Sequence, residues 1–237
     1  MSEREGRGRL TLVSTPIGNL GDLSPRARAA LEEADAWIVE DTRISGKLAS
    51  AFELKKPMKV LNDHTSPGAI DKYYAELSNG ANWALLTDGG TPAISDPGAL
   101  LTDRCLEGGI EVDAIPGPSA VTTALALSGF FAQRFAFLGF LPRKAGGMRD
   151  ELVPFVSSPL TLVLFESLHR LESLITVAGE VLGPRRYTLC RELTKSHQQV
   201  LRLNLPEVPS EADFPRKGEL TLVIEGHRRT RYSTSDE

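Results

Sequence analysis

Cysteine is scarce in this 237-residue sequence: Cys105 and Cys190 are the only two. Neither has a partner at metal-ligand spacing, and two thiols do not make a disulfide framework, so a reduced, cytoplasmic setting is expected. Long apolar runs are missing too. None approaches the ~18 residues a membrane-spanning helix needs, so no membrane is expected. The first nine residues are charged and lack the apolar stretch of a signal peptide. Charge of one sign is nearly balanced, with 27 Lys and Arg against 31 Asp and Glu and a formal net charge of -4. That balance argues against the strongly basic field of a domain that binds free nucleic acid, while leaving room for a local basic patch. Neither a G-x-x-x-x-G-K-[ST] phosphate loop nor a G-x-G-x-x-G dinucleotide fingerprint is present. No histidine, cysteine and carboxylate cluster has ligand spacing, so no metal is expected.

What is present is an alternation. Apolar strand-like runs at Leu10–Ser14, Trp37–Val39, Val60–Leu61, Trp83–Leu86 and Val112–Ile115 are interleaved with helical stripes. Ala27, Ala30, Leu31 and Ala34 form one such stripe, opened by Ser24-Pro25 as N-cap and first helical residue. Others run through Ile70–Leu77, Leu100–Leu106 and the small-residue segment Ala120–Leu127. This is the pattern of an α/β domain with a mostly parallel sheet and helices. It pauses at Phe140–Gly147, the expected linker. A second α/β unit follows, with a strand at Leu160–Phe165 and a helical stripe from Leu171 to Leu182. Period-two alternation in Leu201, Leu203, Leu205 and in Leu220, Leu222, Ile224 predicts half-buried antiparallel strands, hence a mixed or antiparallel second sheet. The expected layout is a flexible arm over 1–9, an N-terminal domain over 10–130, a C-terminal domain over 131–226 and a flexible tail over 227–237. A ligand is expected in a cleft between the two lobes. Arg228, Arg229 and Arg231 near the end suit phosphate, but a solvated, frayed end is the simpler expectation.

The ends of the first-lobe strands are unusually marked. They carry Ser14-Thr15-Pro16-Ile17-Gly18-Asn19, Glu40-Asp41-Thr42-Arg43, Thr87-Asp88-Gly89-Gly90-Thr91-Pro92 and Pro116-Gly117-Pro118-Ser119. Open α/β sheets bind ligands outside the carboxyl ends of their strands. Glycine admits close backbone approach, whereas proline stiffens a turn and removes a donor. Such a rim suits a flat, partly apolar, hydrogen-bonded ligand of the nucleoside kind better than a phosphate chain.

The same segments, with Thr91–Gly98, Phe137–Lys144, Phe165-Glu166-Ser167-Leu168-His169-Arg170 and Arg191-Glu192-Leu193-Thr194-Lys195, resemble the ribosomal RNA small subunit methyltransferase I family of the tetrapyrrole methylase superfamily. The resemblance is collinear from about Leu10 to Gly226. It departs at Thr87-Asp88-Gly89-Gly90, where the family commonly has Ser-Asp-Ala-Gly, and many members continue into a C-terminal helical extension. It implies a two-lobe tetrapyrrole methylase-like fold, a homodimer, and S-adenosylmethionine as methyl donor. It also implies 2′-O-methylation of a cytidine ribose in the decoding region of small-subunit rRNA, free or in the assembled small ribosomal subunit.

By the same resemblance the cofactor contacts are Pro16, Asp88, Gly90, Thr91, Ile94, Ser119 and Ala120, with Phe165 and Leu193 from the second lobe. A ribose hydroxyl needs a base, or a cation that favours its alkoxide. Glu40, Asp41, His64, Glu166 and Lys195 are the candidates, with Arg43 beside Asp41 as catalytic partner or simple ion pair. Arg43, Arg143, Lys144, Arg170 and Lys195 are the expected RNA contacts. Two other readings compete: a superfamily enzyme with a porphyrinoid acceptor, and a non-catalytic RNA-binding module.

Overall fold

The computed structural model describes residues 8–62 and 64–228. The chain forms two compact units, the first ending at Ser119 and the second beginning at Ala120. The first contains β1 (Arg9–Val13), α1 (Pro25–Glu33), β2 (Ala36–Val39), α2 (Thr42–Ala51), β3 (Met58–Val60), α3 (Pro67–Ser78), β4 (Asn82–Leu85), α4 (Gly98–Glu107) and β5 (Glu111–Ile115). Its five strands are all parallel, in the order β3-β2-β4-β1-β5. Every residue of β2 is buried, because helices cover both faces of the sheet. Ala36 and Ile38 point into one apolar cluster, with Trp83, Leu85, Leu77 and Leu101. Trp37 and Val39 point into the other, with Ala84, Leu86, Leu31 and Ala49. The buried Trp37 indole donates to Leu31 O at 3.0 Å. Ser24 caps α1 as its sequence predicts, accepting from Ala27 N at 3.1 Å.

The second unit holds α5 (Ala120–Ser128), β6 (Phe135–Phe140), α6 (Ala145–Leu152), β7 (Thr161–Ser167), α7 (Leu171–Leu182), β8 (Arg186–Arg191), β9 (Gln199–Asn204) and β10 (Glu219–Ile224). Its sheet is mixed, in the order β6-β7-β10-β8-β9, with β6 and β7 parallel and the other pairs antiparallel. Tyr187 and Leu189 of β8 and Leu220, Leu222 and Ile224 of β10 face the core made with α6 and α7. Helix α5 packs on β7, β8 and β10.

Four expectations are corrected. The small-residue helix α5 joins the second unit, so the division falls at 119/120 and not near 130, because its partners are β7, β8 and β10. The supposed linker is no linker: β6 ends at Phe140 and α6 starts at Ala145. Gly147 allows that helix to sit against Pro142, where a Cβ would lie 2.8 Å from the proline Cβ. β10 is not half-buried. It is the central strand, covered on both faces from Leu220 onward, whereas β9 is the partly exposed edge. Residues expected in the flexible arm and tail are also held. Arg9 already belongs to β1, and Gly8 donates to Leu77 O at 2.9 Å. His227 donates to Ser158 O at 2.7 Å. Residues 1–7 and 229–237 lie outside the described residues, as do Arg229 and Arg231. Helix α2 had no counterpart in the sequence reading.

The burial contrast gives a stability prediction. Leu222→Ala empties a fully buried site in the central strand and costs ~2–5 kcal/mol, with Leu203→Ala on the edge strand costing clearly less. Chemical denaturation monitored by circular dichroism checks the order; equal losses would contradict the assignment of β10 as central.

Candidate functional site

Because all strands of the first unit are parallel, the segments following β2, β4, β1 and β5 emerge side by side at one edge of the sheet. Hydrogen bonds then cross from each segment to the next. Thr87 Oγ1 lies 3.4 Å from Glu40 Oε2, and Asp41 N donates to Asp88 Oδ1 at 3.2 Å. Thr15 Oγ1 donates to Thr87 O at 3.4 Å. Thr15 and Gly90 exchange both backbone bonds, at 2.9 and 3.1 Å. Ser14 Oγ donates to Thr91 Oγ1 at 3.2 Å, and Thr91 Oγ1 donates on to Pro118 O at 3.3 Å. The marked loops are therefore one continuous rim.

Residue type matters at its centre. Gly90 has φ +98°, a conformation side-chain-bearing residues rarely adopt, and a Cβ there would lie 3.3 Å from Ile17 Cγ2. Beyond it, Ala93 and Ser95 have φ of 63° and 58°. Asp96 holds this loop: its Oδ1 accepts from Gly98 N at 2.8 Å and Ala93 N at 3.4 Å, while its buried Oδ2 has no hydrogen-bond partner. Such held strain of roughly 1–3 kcal/mol per residue concentrates at functional sites. The loop keeps Ile94 half exposed. Pro16, Asp88, Thr91 and Ser119 are partly buried along the rim, and Ala120 opens α5. Burial raises the Asp88 carboxyl above its ordinary value, the Asp41 N–H counteracts this, and the Asp41 and Asp96 charges add to the rise.

Several expected catalytic and RNA-binding residues turn out to be occupied otherwise. Asp41 is the N-cap of α2, accepting from Arg43 N at 2.8 Å. Its hydrogen bond to the Arg43 side chain, with that to the Arg43 N–H, lowers its carboxyl to about 2. The ion-pair alternative therefore describes Asp41 and Arg43, and Asp41 is a poor base. His64 is exposed after β3, at the same edge of the sheet, with its N–H on Asn62 Oδ1 at 3.0 Å; its neighbour Asp63 lies outside the described residues.

In the second unit, Glu166 is buried at the end of β7, its Oε2 3.1 Å from Arg170 Nη2. Arg170 Nη2 also donates to Leu141 O and Pro142 O, both at 2.9 Å. Arg170 thus ties two backbone carbonyls to Glu166 within the unit. Lys195 Nζ lies 2.9 Å from Glu192 Oε1 and 3.0 Å from Glu219 Oε2. Burial alone would lower its ammonium, but these carboxylates outweigh burial and hold it above its ordinary value. The raised value favours the protonated ammonium near neutrality. The clamp closes a loop in which Glu192 and Thr194, φ 51° and 66°, flank the buried Leu193. Phe165 packs edge-on against Phe137 with ring centroids 4.9 Å apart. Arg143 and Lys144 are exposed between β6 and α6. Ser14, Thr15, Thr87 and Asp96 hold the rim together; the sequence marks them only as parts of the strand-end segments, and the first three act through partners distant in the chain.

Comparison with known proteins places this geometry. The family model described as Tetrapyrrole (Corrin/Porphyrin) Methylases matches residues 9–209. A protein of Escherichia coli O157:H7 named "Ribosomal RNA small subunit methyltransferase I" is 40% identical over 231 residues, 96% of this chain and 81% of its own length. A protein of the same name from Mycobacterium tuberculosis (strain ATCC 25618 / H37Rv) is 42% identical over 222 residues, 92% of this chain and 78% of its own. Among solved structures, a diphthine synthase aligns with TM-score 0.73 at 17% identity, covering 92% of this chain and 90% of that one. A Thermus thermophilus uroporphyrin-III C-methyltransferase complexed with S-adenosyl homocysteine aligns at 0.64 and 21%, covering 91% and 97%. At such identities these two speak for the fold alone. The family-model match and the relatives near 40% identity together show that this chain belongs to the tetrapyrrole methylases and, among them, to the ribosomal RNA small subunit methyltransferase I family.

Proposed function

We propose that the protein transfers a methyl group from S-adenosylmethionine to a cytidine ribose 2′-hydroxyl in the decoding region of small-subunit rRNA. The observation that carries the cofactor half is the hydrogen-bonded rim over four adjacent parallel-strand ends, with Asp88 and the left-handed Gly90 at its centre. The names of the relatives near 40% identity support the rRNA half. The cytidine and the 2′-oxygen come from the family resemblance.

The residues present fit an adenosine thioether. Gly90 leaves its backbone open to close approach, and the buried, unpartnered Asp96 Oδ2 marks polar capacity beside the rim. Asp88, partly buried, suits the ligand's ammonium or ribose hydroxyls. Pro16, Thr91, Ile94, Ser119 and Ala120 complete the proposed contacts. S-adenosylmethionine, when bound, supplies a methyl group already activated on a sulfonium, so the protein's task is alignment and exclusion of water.

Proton acceptance falls to few side chains. Asp41 is held to about 2 by Arg43, Glu166 is paired with Arg170, and Lys195 is protonated between two carboxylates. His64, exposed at the same strand-end edge, is the proposed acceptor. Arg143 and Lys144, both exposed, remain proposed phosphate contacts. We place the enzyme in the cytoplasm, as a homodimer acting on small-subunit rRNA or the assembled subunit.

Three outcomes test this. Incubation with methyl-labelled S-adenosylmethionine and small ribosomal subunits from cells lacking the enzyme should label one cytidine ribose of the rRNA. Label found only on an added porphyrin would instead support the porphyrinoid reading. Asp88→Ala should weaken cofactor binding by roughly tenfold or more in calorimetry, the scale of a lost charge-assisted hydrogen bond; unchanged affinity would remove Asp88 from the site. His64→Gln should lower turnover with cofactor affinity retained, and an unaltered rate would rule out the proposed acceptor.

A further inference from the structure

At the other end of the second sheet from Glu166 and Lys195 lies a cavity of about 370 Å³. The two ends are about 17 Å apart, since the β7–β10 ladder runs from Leu162↔Ile224 to Ser167↔Glu219 at ~3.4 Å per residue. The cavity lies within the ~300–1,000 Å³ range of small-molecule sites. Its lining holds three guanidiniums, Arg185, Arg186 and Arg228, against one carboxylate, Glu225. Glu225 accepts two bonds from Arg186, Nε at 2.7 Å and Nη2 at 2.6 Å, and lies 3.4 Å from Arg228 Nε. A single carboxylate thus fixes two cations in place and leaves the group with an excess of positive charge.

The third cation is built in. Arg185 is 8% exposed, and its Nη2 donates to Phe155 O at 2.9 Å and Val156 O at 2.5 Å. Among the described residues only neutral carbonyls receive its bonds. Beside the cavity stand two phenylalanines. Arg186 and Arg202 lie 5.2 and 5.3 Å from the ring centre of Phe130, and Arg228 lies 5.2 Å from that of Phe131. Phe131 is half exposed, and its carbonyl accepts the bond from the Thr161 hydroxyl that fixes it to the start of β7.

We propose that this pocket is an RNA-anchoring site: a phosphodiester seats among Arg186, Arg228 and Arg185 while a neighbouring unpaired base stacks on Phe131. Guanidiniums attract phosphate oxygens by charge as well as by their N–H donors. An exposed aromatic ring beside them suits an unpaired base. The inference rests on the rRNA reading and deepens it. It assigns substrate affinity to a surface away from Glu166 and Lys195, where guanidiniums outnumber the carboxylate, whereas Arg170 has Glu166 and Lys195 has Glu192 and Glu219 beside it.

The test uses the whole protein, a short fluorescein-labelled single-stranded RNA read by anisotropy, and methyl transfer to small ribosomal subunits. The combined variant Phe131→Ala with Arg228→Ala should bind the RNA roughly tenfold more weakly, with a shallower salt dependence. Its thermal midpoint and calorimetric affinity for S-adenosylmethionine should match those of the parent. Arg228→Lys, which keeps the charge, should recover part of the loss. RNA affinity unchanged in the folded double variant would overturn the inference while leaving the methyltransferase reading intact. Pocket-dependent RNA binding without methyl transfer to subunits would do the reverse. A parent protein that neither binds the RNA nor methylates subunits would remove both.

Discussion

The paired backbone bonds between Thr15 and Gly90 are the constraint on which the candidate site depends. They join two strand ends that are 75 residues apart in sequence yet adjacent in the sheet, and they require Gly90 at φ +98°. From that bridge the rim extends both ways. Thr15 and Thr87 reach toward Glu40 and Asp41; Thr91 reaches through Ser14 and Pro118 toward the start of α5. Parallel strands are what make this possible. A parallel sheet gathers all its carboxyl ends at one edge, so four separate loops can be tied by short polar contacts without a dedicated domain.

The second unit uses charge differently. Several of its cations hold loops. Arg170 ties Leu141 and Pro142 to Glu166, and Arg191 ties Lys217, His197 and Gln199 together through Nε and Nη1. Lys195 bridges Glu192 and Glu219 across a loop with two left-handed residues. Arg191 is buried and Arg170 and Lys195 are partly buried, and each is held by acceptors inside the unit. They look in sequence like a basic ligand surface, and in space each is tied to carboxylates or carbonyls.

That difference marks the limit of what the sequence made legible. The five parallel strands, the Ser24-Pro25 helix start and the strand-end loops could all be read locally, from periodicity, capping and turn residues. Helix α2 could not. Its apolar stripe is short, with Ser45 and Gly46 in its middle, and what marks its start is the Asp41 cap, which reads equally well as a catalytic acid. Nor could the allegiance of α5, whose small residues pack on strands that follow it in the chain. The same holds for each cation: whether Arg170 or Lys195 is free is decided by carboxylates and carbonyls that no local pattern reveals.

Net charge therefore says little about where this protein meets a polyanion. An overall balance of -4 coexists with a pocket in which three guanidiniums face one carboxylate. At physiological ionic strength fields fade over ~8 Å, so acidic residues elsewhere on the surface do not cancel a cluster of that size. Local excess, held rigid by Glu225 and by backbone carbonyls, matters more than the total. A phosphate held in one built pocket, with a base beside it, asks for an unpaired nucleotide and not merely for a charged strand.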